Sequence, residues 1–402
     1  MTNLPQGWKM ETLGEILSSD KYSIKRGPFG SALKKSFFVE KGIRIFEQYN
    51  PINNDPHWKR YFISHEKFQE LEAFKATEGD LLISCSGTLG KIVELPKDTE
   101  MGIINQALLK IRLNNIKILN SYFIYYFNSP IMQEKILEST LGSAIKNIAS
   151  VKILKQIEIP LPPLKEQERI VGILDESFAK IDESIKILEQ DLLNLDELMQ
   201  SALQKAFNPL KDNAKENYKL PQSWEWKSLE EISENISAGG DKPKNCTESK
   251  TAKNQIPVYA NGVNNNGLVG YTDKATIIKP SLTISARGTI GFVCIRKEPY
   301  FPIVRLISLI PCENILCLHY LYFCLNFFIA KGEGSSIPQL TIPKFKSLQI
   351  PLPPLKEQEQ IAMHLDSVFE KAKALKELYT KELKDYEELK QSLLDKAFKG
   401  EL

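Results

Sequence analysis

From Leu174 onward the apolar side chains fall at Leu174, Phe178, Ile181, Ile185, Leu188, Leu192, Leu195, Met199, Ala202 and Ala206. The steps alternate four and three, which is the heptad seam of a helix that supercoils against a partner. After Gly172 no Gly or Pro interrupts the run. About 42 residues at ~1.5 Å each predict a rod of ~63 Å. Near the other end of the chain Leu365, Phe369, Ala372, Tyr379, Leu383, Tyr386, Leu389 and Leu393 follow similar steps, with Lys376 and Lys390 falling on the seam. Two such rods in one chain are the natural partners of each other. Two long helices packed on separate globular parts are the plainer alternative.

The rods begin alike. Residues Ile159 to Ile170 read I-P-L-P-P-L-K-E-Q-E-R-I, and Ile350 to Ile361 read I-P-L-P-P-L-K-E-Q-E-Q-I, at an offset of 191 residues. Leu203-Gln-Lys-Ala-Phe207 returns as Leu394-Asp-Lys-Ala-Phe398 at the same offset of 191. The Pro pair cannot donate backbone hydrogen bonds and stiffens the entry. The carboxylates after it sit in a first helical turn, where the helix dipole favours them.

The segments between the rods show a different pattern. Asp80–Cys85 and Ser281–Ser285 read as strands, each entering a Gly-bounded turn and leaving through another strand, Lys91–Leu95 or Phe292–Ile295. Ser121–Phe127 and Leu318–Leu325 are aromatic-rich and read as helices packed on a sheet. These parts are also repeated, more loosely. Leu4-Pro-Gln-Gly-Trp8 returns as Leu220-Pro-Gln-Ser-Trp224 at an offset of 216, and Gly87-Thr-Leu-Gly90 returns as Gly288-Thr-Ile-Gly291 at 201. The shrinking offset gives the first part about 25 more loop residues than the second. The order is globular, rod, globular, rod, an α+β tandem repeat. Its expected boundaries are 1–158, 159–208, 209–349 and 350–402, with a polar linker at Asn208–Lys219.

Charge follows this division. Lys and Arg exceed Asp and Glu by 4 in residues 1–158 and by 5 in 209–349, whereas acids exceed bases by 5 in 159–208 and by 2 in 350–402. A polyanion would meet the globular parts. A length of 402 residues, 42% apolar, suits several domains of an ordinary globular chain. No charged-then-apolar leader or membrane-length apolar run stands out, which points to a cytoplasmic protein. The six cysteines form no CxxC pair and are expected to be reduced thiols.

No G-x-G-x-x-G opening a helix, no Walker loop and no Asn-Pro-Pro-aromatic motif is present, so neither nucleotide nor methyl-donor chemistry is indicated. Cys312, Cys317, His319 and Cys324 cluster, but lack the close pairs of a structural zinc site and have no counterpart in the first half. No metal and no cofactor is therefore expected. The candidates for DNA contact lie on loops. The two Gly-Thr-Leu/Ile-Gly turns carry Ser86, Thr88 and Lys91 in one half and Arg287 and Thr289 in the other. Glycines there permit close approach to a backbone or base edge. They also suit a tight hairpin needed only for the fold. Arg287 is the leading single candidate, because an arginine clamps guanine O6 and N7. Tyr259, Asn261, Asn264, Asn265 and Asn266 form a loop whose amides suit adenine; turn chemistry alone also explains it. Lys25, Arg26, Lys34, Lys35, Lys59 and Arg60 lie in the longer loops of the first half. They suit a phosphate-facing patch, or an ordinary solvated surface.

The doubled I-P-L-P-P-L-K-E-Q-E entry, the rods closing on Lys-Ala-Phe and the paired S-x-x-G-T-[LI]-G turns resemble the specificity subunit of Type I restriction–modification systems. The likeness covers essentially the whole chain. It implies two β-rich target recognition domains, each reading one half of a split, asymmetric DNA sequence. It implies that the rods pair as an antiparallel coiled coil that spaces the domains and docks two methyltransferase subunits. Restriction subunits that translocate DNA would join that core. The chain itself would have no catalytic role. The halves differ at one telling point: Ser86 stands where the second half has Arg287, so an arginine contact is not implied in the first. A solitary tandem-domain DNA binder, the specificity subunit of a methyltransferase-only system, and a coiled-coil scaffold are the other readings. Docking partners separate the first of these, and basic, Asn-rich domains argue against the last.

Overall fold

The computed structural model describes residues 4–138, 148–207, 220–329, 332–333 and 340–402. The expected linker at 208–219 lies outside the described residues. The chain packs as two units. One comprises Met1–Leu188 with Lys381–Leu402, the other Glu189–Thr380. Among the described residues no helix is long and apolar enough to cross a membrane.

In the first unit the strand Lys9–Thr12 pairs antiparallel with Glu158–Leu161. In the second, Glu225–Ser228 pairs antiparallel with Gln349–Leu352. The strand that directly follows the repeated Leu-Pro-Gln-x-Trp segment and the strand that holds the repeated Ile-Pro-Leu are therefore the two sides of one ribbon in each unit. Each unit also holds a four-stranded antiparallel sheet of one order. In the first it runs Ile24–Arg26, Leu108–Ile111, Leu81–Ser84, Ile92–Glu94. In the second it runs Ser233–Ala238, Ile307–Pro311, Ser281–Ile284, Val293–Arg296. The strand pairs around the two Gly-Thr turns lie where alternation and glycine spacing put them.

A second sheet carries most of the difference. The first unit has five short strands ordered Phe38–Val39, Phe62–Ile63, Ile43–Phe46, Gly102–Ile104, Lys75–Ala76. The second has three, Leu268–Thr272, Ile256–Tyr259 and Phe301–Pro302. Both retain one parallel pair, Ile43–Phe46 with Gly102–Ile104 and Ile256–Tyr259 with Phe301–Pro302. The extra loop residues of the first half thus build additional strands beside a shared frame.

The aromatic helices Asn120–Asn128 and Leu318–Phe328 cover the four-stranded sheets with Tyr122, Phe123, Tyr126 and Phe127, or Tyr320, Leu321, Phe323 and Cys324, all buried. Each is fastened to the start of a long helix. Gln167, fully buried, accepts from Leu119 N at 2.9 Å and donates to Lys117 O and Pro162 O, both at 2.9 Å. Gln358, also fully buried, accepts from Cys317 N at 2.9 Å and donates to Ile315 O at 2.9 Å and Pro353 O at 2.8 Å. About two turns further along the long helices, Tyr125 Oη donates to Asp175 at 2.5 Å, and His319 Nδ1 lies 2.7 Å from Asp366.

The long helices are Leu164–Phe207 and Leu355–Lys399. Leu174, Ile181, Leu188 and Leu195 are buried at successive seven-residue steps. Within the first unit Ile170 and Leu174 share a core with Leu394 and Phe398, and Asp182 pairs with Lys390. Rising numbers on one helix meet falling numbers on the other, so the pairing is antiparallel. In the second unit Leu203 and Phe207 share a core with Ala362 and Leu365, and Asp196 pairs with Lys376. The two lysines that interrupt the seam are thus the two that form interhelical ion pairs. Lys390 also lies over the Phe178 ring at 5.7 Å. The Lys-Ala-Phe ends close the cores: Phe398 meets Tyr122 and Tyr126 edge-on at 5.4 and 5.1 Å, and Phe207 meets Tyr320 at 5.5 Å. Each globular core is completed by the end of the helix that starts from the other repeat.

Candidate nucleic-acid interface

In each unit the Gly-Thr turn is built by the same bonds. Gly90 N donates to Ser84 O at 3.0 Å and Ser84 N to Lys91 O at 2.9 Å. Gly291 N donates to Ser285 O at 3.0 Å and Ser285 N to Phe292 O at 2.9 Å. The glycines are left-handed, with φ of 65° and 69° at Gly87 and Gly90 and of 69° and 82° at Gly288 and Gly291. Among the described residues, a Cβ added at Gly87 or Gly288 would meet nothing within 4 Å. Glycine is needed at these tips for the dihedral angle, and it leaves the space outside them open. Cys85 and Ala286 point inward and are buried, whereas Arg287 is exposed and Ser86 half-buried. Burial raises the Cys85 thiol to about 11, and the Arg26 guanidinium nearby opposes that shift. Arg26 thus stands beside the first turn, with Ser86, Thr88 and Lys91 on it; Thr88 and Lys91 are exposed.

The remaining basic candidates of the first unit gather elsewhere. Lys34 and Lys35 are exposed just before Phe38–Val39, and Lys59 and Arg60 just before Phe62–Ile63. Those two strands pair with each other. Lys59 is held by Glu100 at 3.1 Å, and Arg60 stacks over Tyr61 at 4.7 Å. Lys25 lies over the rings of Tyr22 and Phe74 at 5.4 and 5.1 Å. Two residues absent from the sequence expectations brace the loop that carries Lys59 and Arg60. Buried Arg44 donates to Pro56 O at 3.0 Å and Trp58 O at 2.7 Å. Buried Asn50 accepts from Glu47 N at 2.9 Å and donates to Asp55 O at 2.9 Å and Trp58 O at 2.8 Å. Tyr49 and Trp58 stack at 4.3 Å. Such a loop presents its cations with little ordering left to do on binding.

In the second unit the candidates divide into framework and surface. Tyr259 packs under the Arg296 guanidinium at 3.6 Å and against Tyr300 at 5.8 Å. Asn266 O accepts from Arg296 Nη2 at 2.5 Å. Asn261, an expected adenine reader, spends its amide on the fold: Oδ1 accepts from Ala286 N at 2.8 Å and Nδ2 donates to Val304 O at 2.6 Å. Asn264, Asn265 and Asn266 are exposed, the last two in left-handed backbone with φ of 47° and 51°. Thr289 is half-buried in a short strand. Asn261 brings the Asn loop against the Arg287 turn. In the cluster of Cys312, Cys317, His319 and Cys324, Cys324 lies in the core and His319 Nδ1 lies 2.7 Å from Asp366. Among the described residues no three His, Cys, Asp or Glu side chains are grouped to hold a metal ion.

The same fold occurs in solved structures. A chain from a structure of the assembly and conformational transition of a type I R-M system superposes with a TM-score of 0.81 over the full length of both chains, at 21% identity. The HsdS subunit from Thermoanaerobacter tengcongensis gives 0.63 over 99% of this chain and 98% of its own, at 20% identity. A putative type I specificity subunit of Mycoplasma pneumoniae is 33% identical over 54% of this chain, and the match spans 57% of that relative. The specificity subunit of the EcoBI type I restriction enzyme of Escherichia coli is 23% identical over 80% of this chain and 73% of its own. Residues 5–192 and 221–384 each match the Type I restriction modification DNA specificity domain. The paired ribbons, sheets and turns are thus two copies of that domain, and the chain belongs to the family of Type I restriction–modification specificity subunits.

Proposed function

We propose that the chain is the DNA-reading subunit of a Type I restriction–modification complex, with each unit reading one half of a bipartite, asymmetric target in double-stranded DNA. The observation that carries this is the pair of Gly-Thr turns: one backbone, space outside both tips that no described residue fills, and different residues displayed, Ser86 against Arg287. A frame held constant while its outward residues change suits two readers of unlike half-sites. Linking them on one chain raises the effective concentration of the second contact once the first is made. The long helices dock two methyltransferase subunits and set the gap between half-sites, and restriction subunits join that assembly. Ile187, Leu193 and Leu198 on one helix and Met363, Leu375 and Leu378 on the other are exposed apolar residues suited to such docking. Catalysis belongs to the partners.

The test is selection of bound duplexes from a random library by the full chain with its methyltransferase subunits. A motif of two unrelated halves at a fixed gap is expected; one contiguous or palindromic motif would refute the reading. Within that motif Arg287→Ala should cost about 1–3 kcal/mol of discrimination at one position. Lys35→Ala should weaken binding to all sequences and reduce the salt slope by about one. Equal losses for Arg287→Ala on target and random DNA would make it a phosphate contact or a fold residue.

A further inference from the structure

Val304 and Arg305 are consecutive, exposed residues with φ of 53° and 59°. An L side chain in left-handed backbone costs about 1–2 kcal/mol, and a β-branched one there is an outlier. Backbone bonds hold the turn: Val304 N donates to Gly240 O and Arg305 N to Gly239 O, both at 2.8 Å.

The first unit shows that the frame does not require this strain. Asn105 N donates to Phe46 O as Ile303 N does to Tyr259 O, and Gly27 N to Leu108 O as Gly239 N does to Leu306 O. Gln106 and Ala107 therefore occupy the places of Val304 and Arg305, and neither has positive φ. There Cys85 N donates to Ala107 O at 2.8 Å, closing the Gly-Thr turn directly onto the return loop. In the second unit Asn261 is interposed: it takes the equivalent donor, Ala286 N, and holds Val304 O with its other end. One side-chain amide thus ties the turn of Arg287 to the turn of Arg305, and both arginines are exposed. Strain that the shared frame avoids elsewhere, kept at a turn that displays an arginine, marks a functional position.

We propose that Arg305 is a second base-reading arginine of this unit, and that Asn261 is the positioning residue that sets Arg287 and Arg305 as a pair. The half-site read by the second unit would then hold two guanines at neighbouring positions, each met at O6 and N7. This rests on the unit being a DNA reader.

The experiment is the random-duplex selection with the full chain and its methyltransferase subunits, run beside thermal melting of each variant. Arg305→Ala should flatten the preference for one guanine of one half-site by roughly 5- to 150-fold and leave the other half-site intact. Arg305→Gly accepts the left-handed backbone without a Cβ. It should show the same flattening with a melting temperature equal to or above that of the unaltered chain. Asn261→Asp keeps the acceptor for Ala286 N and loses the donor to Val304 O. It should blur the Arg305 position while sparing that of Arg287; equal blurring of both would remove the positioning role. An unchanged motif in Arg305→Ala, a uniform loss on all sequences, or a lowered melting temperature in both Arg305 variants would overturn the assignment while leaving the DNA-reading function standing. If the unaltered chain selects no motif, the DNA-reading function fails and this inference falls with it.

Discussion

Single amides settle much of this molecule. Gln167 and Gln358 sit in the repeated entry to the helices, yet the sequence shows there only a proline stop and an acidic first turn. Their work is tertiary, since each caps a segment more than 40 residues away in the chain. Gln167→Ala would leave Leu119 N and two carbonyls unsatisfied, at about 1–3 kcal/mol for each group that finds no water. Urea unfolding should show that loss, whereas Gln204→Ala, on the exposed side of the same helix, should stay within about 0.5 kcal/mol. Similar midpoints for the two variants would contradict the clamp. Asn261 teaches the converse. As a residue type in a polar loop it suits base reading, and only its two bonded neighbours show that it also ties two turns together. At Val304-Arg305 the sequence Ile303-Val304-Arg305-Leu306-Ile307 has no Gly or Asn to mark a left-handed turn.

At the scale of elements, what was legible was periodic or punctuated by glycine. The buried seven-residue series from Leu174 to Leu195 and the strands around both Gly-Thr turns follow directly from spacing. The short strands of the first unit's second sheet were not legible. Several have only two residues and pair across long loops, so no period can form. Nor does the repeated Lys-Ala-Phe show which core it enters. Phe398 is 3% exposed in the first unit's core and Phe207 fully buried in the second's. Replacing either by Ala should cost about 3–5 kcal/mol. Hydrogen exchange should place the loosening in Asn120–Asn128 for Phe398→Ala and in Leu318–Phe328 for Phe207→Ala. The opposite assignment would mean that each helix end closes the core of its own repeat.

At the scale of the whole molecule, the constant offset of 191 residues from helix entry to helix end contrasts with offsets of 216 and 201 in the globular parts. Helix length is held where loop length drifts, as a ruler requires. Four residues inserted after Gln190 add ~6 Å and about 400° of rotation, with a stutter in the heptad seam. The preferred gap should lengthen by about one or two base pairs, at ~3.4 Å each, with both half-sites unchanged. A library varying only in gap length measures it, and an unmoved optimum in a variant that still binds would deny the helices that role.

The central claim is that one chain carries two independent readers. It is tested most directly by replacing residues 1–158 with the corresponding segment of a relative and sequencing the methylated sites of a genome that carries the complete system. One half of the target should change while the other half persists. A change in both halves, or in neither, would contradict the account.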